Sequence, residues 1–241
     1  MIYVIGTGPG DFKYITPDAL EALNKCEIIS GYEKYINLIK NNFPDKIFKI
    51  YSMRQEIKRC EDALKLSREN KIIGLISGGD SGIYGMAGLI LELANNNDKI
   101  KIIPGLTSAV CAAGILGAPL TNDFAVISLS DLLTPIEIIN RRLEILSAGD
   151  FVTCIYNPGS KTRTENFKTA CEIMLKYKSP DTPCGYVKNI SRPGEFCEIM
   201  KLSEIKNLKP DMNYLIIIGN SQTYIKNNKL ITPRGYIKKG A

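Results

Sequence analysis

Through its first half the chain alternates short apolar runs with longer amphipathic stretches, and few architectures accept that pattern. Strands are predicted over 2–5, 26–30, 46–50, 71–76 and 99–103, with helices over 17–24, 55–69 and 83–95 between them. Strands separated by helices of this length pair in parallel, because the crossover must return the chain to the same edge; the expected class is therefore α/β with a mainly parallel first sheet. The helix at 17 carries its own start signal: Thr16 supplies a capping oxygen, Pro17 fits the first turn and Asp18 suits the positive helix end.

Around Gly114-Ile115-Leu116-Gly117-Ala118-Pro119 the residues become small and turn-prone, which places a domain boundary there and gives an N-terminal domain of 1–115 and a C-terminal domain of 116–241. Strands at 123–128 and 150–155 alternate with helices at 135–147 and 163–176. The last third, with strands at 183–188, 195–201 and 213–219 and little helix between them, predicts a mixed, more antiparallel second sheet.

Composition narrows the function classes. In 241 residues, 44% hydrophobic and 23% charged, no apolar run approaches the roughly 20 residues of a membrane span, so no membrane partner is expected. The first residues enter a strand without a basic flank or cleavage site, which predicts an unprocessed cytoplasmic protein. Seven cysteines are scattered and never form a C-x-x-C pair, so neither a disulfide framework nor a metal site is expected. Histidine is absent, which removes the commonest general base and metal ligand. The charge of +6 is spread among acids and not gathered in a basic block; it favours a small polycarboxylate substrate over nucleic acid.

Three segments carry the chemistry. Gly6-Thr7-Gly8-Pro9-Gly10-Asp11 follows the first strand directly. It lacks the third glycine of G-x-G-x-x-G and its helix starts later, at Thr16, so a dinucleotide turn fits badly. Ser77-Gly78-Gly79-Asp80-Ser81-Gly82-Ile83-Tyr84-Gly85 follows the strand at 71–76, and Pro104-Gly105-Leu106-Thr107-Ser108-Ala109 follows the strand at 99–103 and opens a helix of small residues. In an open α/β sheet ligands sit beyond the carboxyl ends of the strands, and here several loops leave at that edge. None carries the Lys and hydroxyl of a triphosphate loop, so a nucleoside-like ligand is indicated, with Asp80 suited to ribose hydroxyls or an ammonium group.

Together these motifs resemble the corrin and porphyrin methylase family over essentially the whole chain, with G-x-G-P-G-D, G-G-D-x-x-x-Y-G and P-G-x-T-S/A as they stand here. Ser128-Leu129-Ser130-Asp131-Leu132-Leu133-Thr134-Pro135 and Tyr156-Asn157-Pro158-Gly159-Ser160-Lys161-Thr162-Arg163 resemble the segments of its C17-methyltransferase branch. Ser81 departs from the proline many relatives carry after the acid. The resemblance implies the two-domain tetrapyrrole methylase fold, S-adenosylmethionine as cofactor with S-adenosylhomocysteine as product, and a homodimer with the active site in the cleft between the domains. Cofactor contacts would fall on Pro9, Gly78, Gly79, Asp80, Ile83, Thr107, Ser108, Asn157 and Ile190.

Methyl transfer from a sulfonium is an in-line displacement that chiefly needs positioning, so a chain without histidine can perform it. Arg163, Lys161 and Arg192 are candidates for the carboxylate arms of a tetrapyrrole, with Ser128 and Ser130 beside them. Ring contraction adds the demand for a base, for which Asp131 or Asp11 is the candidate. The competing readings are another precorrin methyltransferase, diphthine synthase and, outside enzymes, a tetrapyrrole carrier.

Overall fold

The computed structural model describes residues 1–160 and 163–236. The chain divides into two compact units, Met1–Ser108 and a second from Ala109 onward. In the first, the elements run β1 (Ile2–Gly6), α1 (Pro17–Lys25), β2 (Ile28–Tyr32), α2 (Glu33–Ile39), β3 (Ile47–Tyr51), α3 (Glu56–Arg68), β4 (Ile73–Ser77), α4 (Ala87–Leu93) and β5 (Ile100–Ile103). The five strands form one sheet in the order β3-β2-β4-β1-β5, every neighbouring pair parallel. The expectation of a parallel first sheet is met.

Period-two alternation assigns the faces. Ile2, Val4, Ile28, Ile73 and Leu75 pack with Cys60, Ala63 and Leu64 of α3 and Ala87 and Ile90 of α4. The intervening positions Ile5, Ile29, Ile76 and Ile103 pack instead with Ala19, Ala22 and Leu23 of α1 and Ile36 and Ile39 of α2. Both faces are covered, as an all-parallel sheet requires. The cap of α1 forms as its sequence dictates: the Thr16 hydroxyl accepts from the Ala19 amide at 3.2 Å, with Pro17 in the first turn.

The second unit contains α5 (Ser108–Leu116), whose first residue closes the first unit, then β6 (Gly117–Ala118), β7 (Phe124–Ser128), α6 (Ile136–Ala148), β8 (Val152–Tyr156), α7 (Asn166–Met174), β9 (Pro183–Lys188), β10 (Phe196–Lys201), α8 (Leu202–Ile205), β11 (Tyr214–Ile218), β12 (Tyr224–Lys226) and β13 (Lys229–Ile231). Its main sheet is ordered β10-β9-β11-β8-β7; only β7 and β8 pair in parallel and the rest is antiparallel. One face carries α6, α7 and α8 over Ile155, Ile216 and Ile218, and the other packs Val152, Cys154, Val187, Leu215 and Ile217 against α5 and Leu230. A third, three-stranded sheet joins β12, β13 and β6, its hairpin turned at Asn227 and Asn228 with φ of 50° and 54°. Two successive left-handed asparagines are the chemistry of a tight hairpin turn. Among the described residues no helix is long and apolar enough to cross a membrane.

Three elements differ from expectation. The helix predicted over 83–95 starts only at Ala87, because Ser81 to Met86 form a closed turn: the Gly82 amide bonds Asp80 Oδ1 at 2.8 Å, Tyr84 is left-handed at φ 53°, and the Ala87 amide bonds the Ser81 carbonyl at 2.9 Å. Helix α2 follows β2 without any connecting loop. The short β12–β13 hairpin extends the second unit beyond its last predicted strand.

Candidate active site

The carboxyl ends of β1, β4 and β5 lie at one edge of the first sheet, and the three glycine-bearing segments leave from them. The structure stitches these loops to one another through their backbones. Gly8 and Gly79 exchange a reciprocal pair of hydrogen bonds, 3.1 Å from the Gly8 amide and 2.7 Å from the Gly79 amide, forming an isolated antiparallel bridge. Both glycines have positive φ, 75° and 69°, a region costly for residues with a Cβ. The Thr7 amide and hydroxyl both donate to the Ser77 carbonyl, at 2.9 and 3.0 Å.

Glycine is required at the crossing for a second reason. A Cβ at Gly105 would stand 2.3 Å from the Gly79 carbonyl oxygen and 2.6 Å from Gly6, and one at Gly6 would stand 2.7 Å from Gly105 N. Side chains there would force the loops apart. Asp80 completes the stitching: Oδ1 accepts from the Gly82 amide and Oδ2 from the Gly105 amide, each at 2.8 Å, so one carboxylate ties the second loop to the third. Ser81, fully buried where many relatives carry proline, donates from its hydroxyl toward the Val4 carbonyl at 3.3 Å and the Ile103 carbonyl at 3.5 Å.

Of the residues expected to touch a cofactor, Pro9 is buried beside Gly8, Gly78 and Gly79 lie on the bridged loop, and Thr107 and Ser108 flank the start of α5. The position a Cβ would take at Gly79 meets Thr107 Cα and Ser108 N at ordinary contact distance, 3.8 Å, so the second loop packs directly against the third. Ile83 is 38% exposed on the closed turn. The ring of Tyr35 from α2 lies against Gly78, where a Cβ would stand 2.3 Å from its Cε1. Asp11 is occupied otherwise: it caps a short 3-10 turn through the Lys13 amide at 3.0 Å and pairs with the Lys13 ammonium at 3.2 Å. Those bonds hold its carboxyl below the ordinary carboxylate range, which weakens it as a base.

In the second unit the polar segments after β7 and β8 meet. The Asn157 amide group donates to Ser128 Oγ at 2.9 Å, and the same oxygen accepts from the Ser130 amide at 3.2 Å. The Leu129 amide bonds the Tyr156 carbonyl at 3.0 Å, while its own carbonyl accepts from Asn166 at 3.1 Å and from Arg163 at 3.5 Å. Arg163, 18% exposed in its side chain, also bonds Ser160 Oγ at 3.2 Å and stands 3.7 Å from Asp131 Oδ1. Ser128, Ser130, Asp131, Asn157 and Arg163 thus form one bonded group. Beyond its pinned base this segment exposes Leu132 and Leu133, at 66% and 94%.

Ile190 and Arg192 lie elsewhere, in the turn after β9. Ile190 is buried in the apolar cluster that includes α5, flanked by left-handed Asn189 and Ser191 with φ of 51° and 57°. Two such residues around one buried side chain mark a backbone held in an unusual path, a recurrent property of ligand sites. Lys161 lies outside the described residues. Sequence reasoning missed Tyr156, whose hydroxyl accepts from the Ala109 amide at 2.8 Å and so caps α5. It also missed Tyr35; its signal was the aromatic spacing in Gly31-Tyr32-Glu33-Lys34-Tyr35 directly after a strand.

A backbone-lined cradle whose loops carry two acids, Asp11 and Asp80, with hydroxyls and no lysine or arginine, suits a nucleoside bearing positive charge better than a polyphosphate. Comparisons with known proteins identify the family. The profile described as Tetrapyrrole (Corrin/Porphyrin) Methylases matches residues 1–206, and the chain belongs to this family. The chain is similar to a probable cobalt-factor III C(17)-methyltransferase of Salmonella typhimurium, 43% identical over 239 residues that cover 98% of this chain and 99% of the relative. It is likewise similar to a probable cobalt-factor III C(17)-methyltransferase of Methanocaldococcus jannaschii, 44% identical over 252 residues and 99% of each chain. Among solved structures it resembles the methyltransferase CobJ, with a TM-score of 0.90 and 30% identity, over 96% of this chain and 99% of that one.

Proposed function

We propose that this chain transfers a methyl group from S-adenosylmethionine to C17 of precorrin-3B or cobalt-factor III in cobalamin biosynthesis, with contraction of the ring. One observation carries the reading: near-complete coverage by relatives named for C17 methylation, in a chain whose three loop motifs are joined at one sheet edge. Bound there, the cofactor supplies an activated methyl and leaves as S-adenosylhomocysteine.

The chain's own residues bind and orient. Pro9, Gly78, Gly79, Asp80, Ile83, Thr107 and Ser108 offer backbone groups and one carboxylate to the cofactor, and Asn157 and Ile190 are its further candidate contacts. Asp80 supplies negative charge near a cationic ligand while its bonds to Gly82 and Gly105 keep the loops at fixed spacing. Arg163 and Arg192, with Lys161, receive the acid side arms of the macrocycle, and Ser128 and Ser130 donate hydroxyl hydrogen bonds beside them. Asp131, held 3.7 Å from Arg163, accepts the proton that ring contraction releases. The enzyme acts as a cytoplasmic homodimer.

The test is anaerobic incubation of the purified protein with methyl-labelled S-adenosylmethionine and cobalt-factor III or precorrin-3B, read by mass spectrometry and absorbance. Gain of one labelled methyl with an altered chromophore is expected; binding of pigment with the label left on the cofactor would make the chain a carrier. Asp131→Asn is expected to methylate and stall before contraction. Full contraction by that variant removes Asp131 from the scheme.

A further inference from the structure

Among the described residues two buried side-chain polar atoms, Ser30 Oγ and Arg59 Nε, meet no hydrogen-bond geometry; the Ser30 hydroxyl lies close enough to the Tyr51 hydroxyl to interact with it, and the Arg59 guanidinium lies over the Tyr51 ring. Ser30 lies near the end of β2 and is 1% exposed; Tyr51 ends β3; Arg59 is in the first turn of α3 and is 3% exposed. Because the sheet is parallel, these carboxyl ends share an edge with the three loops.

Arg59 makes no ion pair among the described residues, and Glu56 is the acid whose charge reaches it. Its guanidinium carbon stands 5.9 Å over the Tyr51 ring. The acid of this corner, Asp62, accepts the Tyr51 hydroxyl at 2.6 Å, and Glu56 is exposed and accepts the Arg54 amide at 3.3 Å. Among the described residues no carboxylate forms an ion pair with Arg59. Burial pulls its pKa below the ordinary value, opposed by the charge of Glu56. A buried cation without a paired anion is strongly destabilising, and a single cation–π contact compensates little of that. The thirteen-residue helix α3 begins here with no side-chain cap on its amides, which adds positive potential to the same corner. Arg59 also feels Tyr35, whose ring lies against Gly78, so the corner adjoins the second loop.

We propose that Arg59, with the Ser30 hydroxyl, is an anchor for a carboxylate that arrives with a ligand of this edge. The planar donor fork of a guanidinium matches the two oxygens of a carboxylate, and Ser30 offers a further donor to them. Binding supplies a paired countercharge, so the instability carried by the free protein becomes affinity. The inference rests on the functional reading above only for its two sources: the amino-acid carboxylate of the cofactor, or an acid side arm of the pigment.

Arg59→Met removes the charge at nearly constant volume, and Arg59→Lys keeps charge without the fork. The dissociation constants of S-adenosylhomocysteine and of cobalt-factor III are measured for parent and variants, with the Nε–H resonance of Arg59 followed in nitrogen-15 spectra of the parent. Free Arg59→Met is expected to melt no lower than the parent, yet to bind one of the two ligands about 30-fold more weakly or worse, Arg59→Lys falling between. The ligand that loses affinity identifies the source. If Arg59→Met fails to fold, Arg59→Lys and the Nε–H resonance decide, the resonance moving on addition of the ligand concerned. Unchanged binding of both ligands within twofold, or an Nε–H resonance that neither ligand moves, overturns the proposal. Because binding and not turnover is read, failure of methyl transfer to cobalt-factor III leaves this result intact.

Discussion

The two units build their polar sites from different material. At the edge of the first sheet, contacts between loops are made by backbone: Gly8 with Gly79, Gly6 against Gly105, and one carboxylate, Asp80, closing the third connection. After β7 and β8 of the second unit they are made chiefly by side chains, Asn157 to Ser128 and Arg163 to Leu129, Ser160 and Asp131. Backbone contacts of this kind admit no adjustment, because there is no rotamer to change. Side-chain contacts can be exchanged for a ligand's. The first arrangement suits a ligand that is the same in every turnover, and the second suits one whose arms must be gripped and released.

The sharpest way to break this comparison is Gly105→Ala. Its new Cβ would stand 2.3 Å from a backbone oxygen, which no rotamer relieves, so the second and third loops must separate. The expected outcome is a loss of about 3 kcal/mol in stability, read as a lower melting temperature, together with loss of S-adenosylhomocysteine binding in calorimetry. A variant with parental affinity would show that the loops adapt, and the contrast between rigid and exchangeable contacts would fall.

Arg163→Met probes the other side with a smaller expected effect. Its bonds at 3.2 and 3.5 Å are long and partly solvated, so their loss lowers stability by about 1 kcal/mol. If the group is a releasable grip, the variant raises KM for the pigment at least tenfold while KM for S-adenosylmethionine stays within twofold. Equal losses for both substrates would make Arg163 a structural tie of the same kind as Asp80.

The same distinction explains what was legible in the sequence. Glycines at loop crossings are dictated by sterics, so Gly8, Gly79 and Gly105 announce themselves, and Thr16 with Pro17 fixes the start of α1. Strands whose alternate residues face two helical layers are legible for the same reason. What escaped depends on partners distant along the chain. The double role of Asp80 exists only because the Gly105 amide comes to meet it, and the late start of α4 follows from the bond between Ala87 and Ser81. Helix α2 begins at Glu33 after an N-cap, Tyr32, that makes no side-chain cap bond, so no start signal was present to read. Arg59 carried a signal that went unused: a cation on the buried face of α3, in register with Cys60, Ala63 and Leu64.

The smallest expected effect uses glycines to which no such constraint applies. Gly88 in α4 and Gly114 in α5 are exposed, have negative φ, and a Cβ at either would meet nothing within 4 Å. One lies in each unit. Helical glycine is penalised because the unfolded chain loses more freedom there, so alanine at an unobstructed site should stabilise, by about 0.5–1 kcal/mol at Gly114 and less at Gly88, which sits in the first turn of its helix. Unfolding in urea checks both, with KM values measured alongside. Stabilisation of both units with unchanged KM values would confine the difference between them to the loops; a loss of affinity from Gly88→Ala alone would mean that the rigidity of the first unit extends from its loops into α4, and that the glycine cradle depends on the helix behind it.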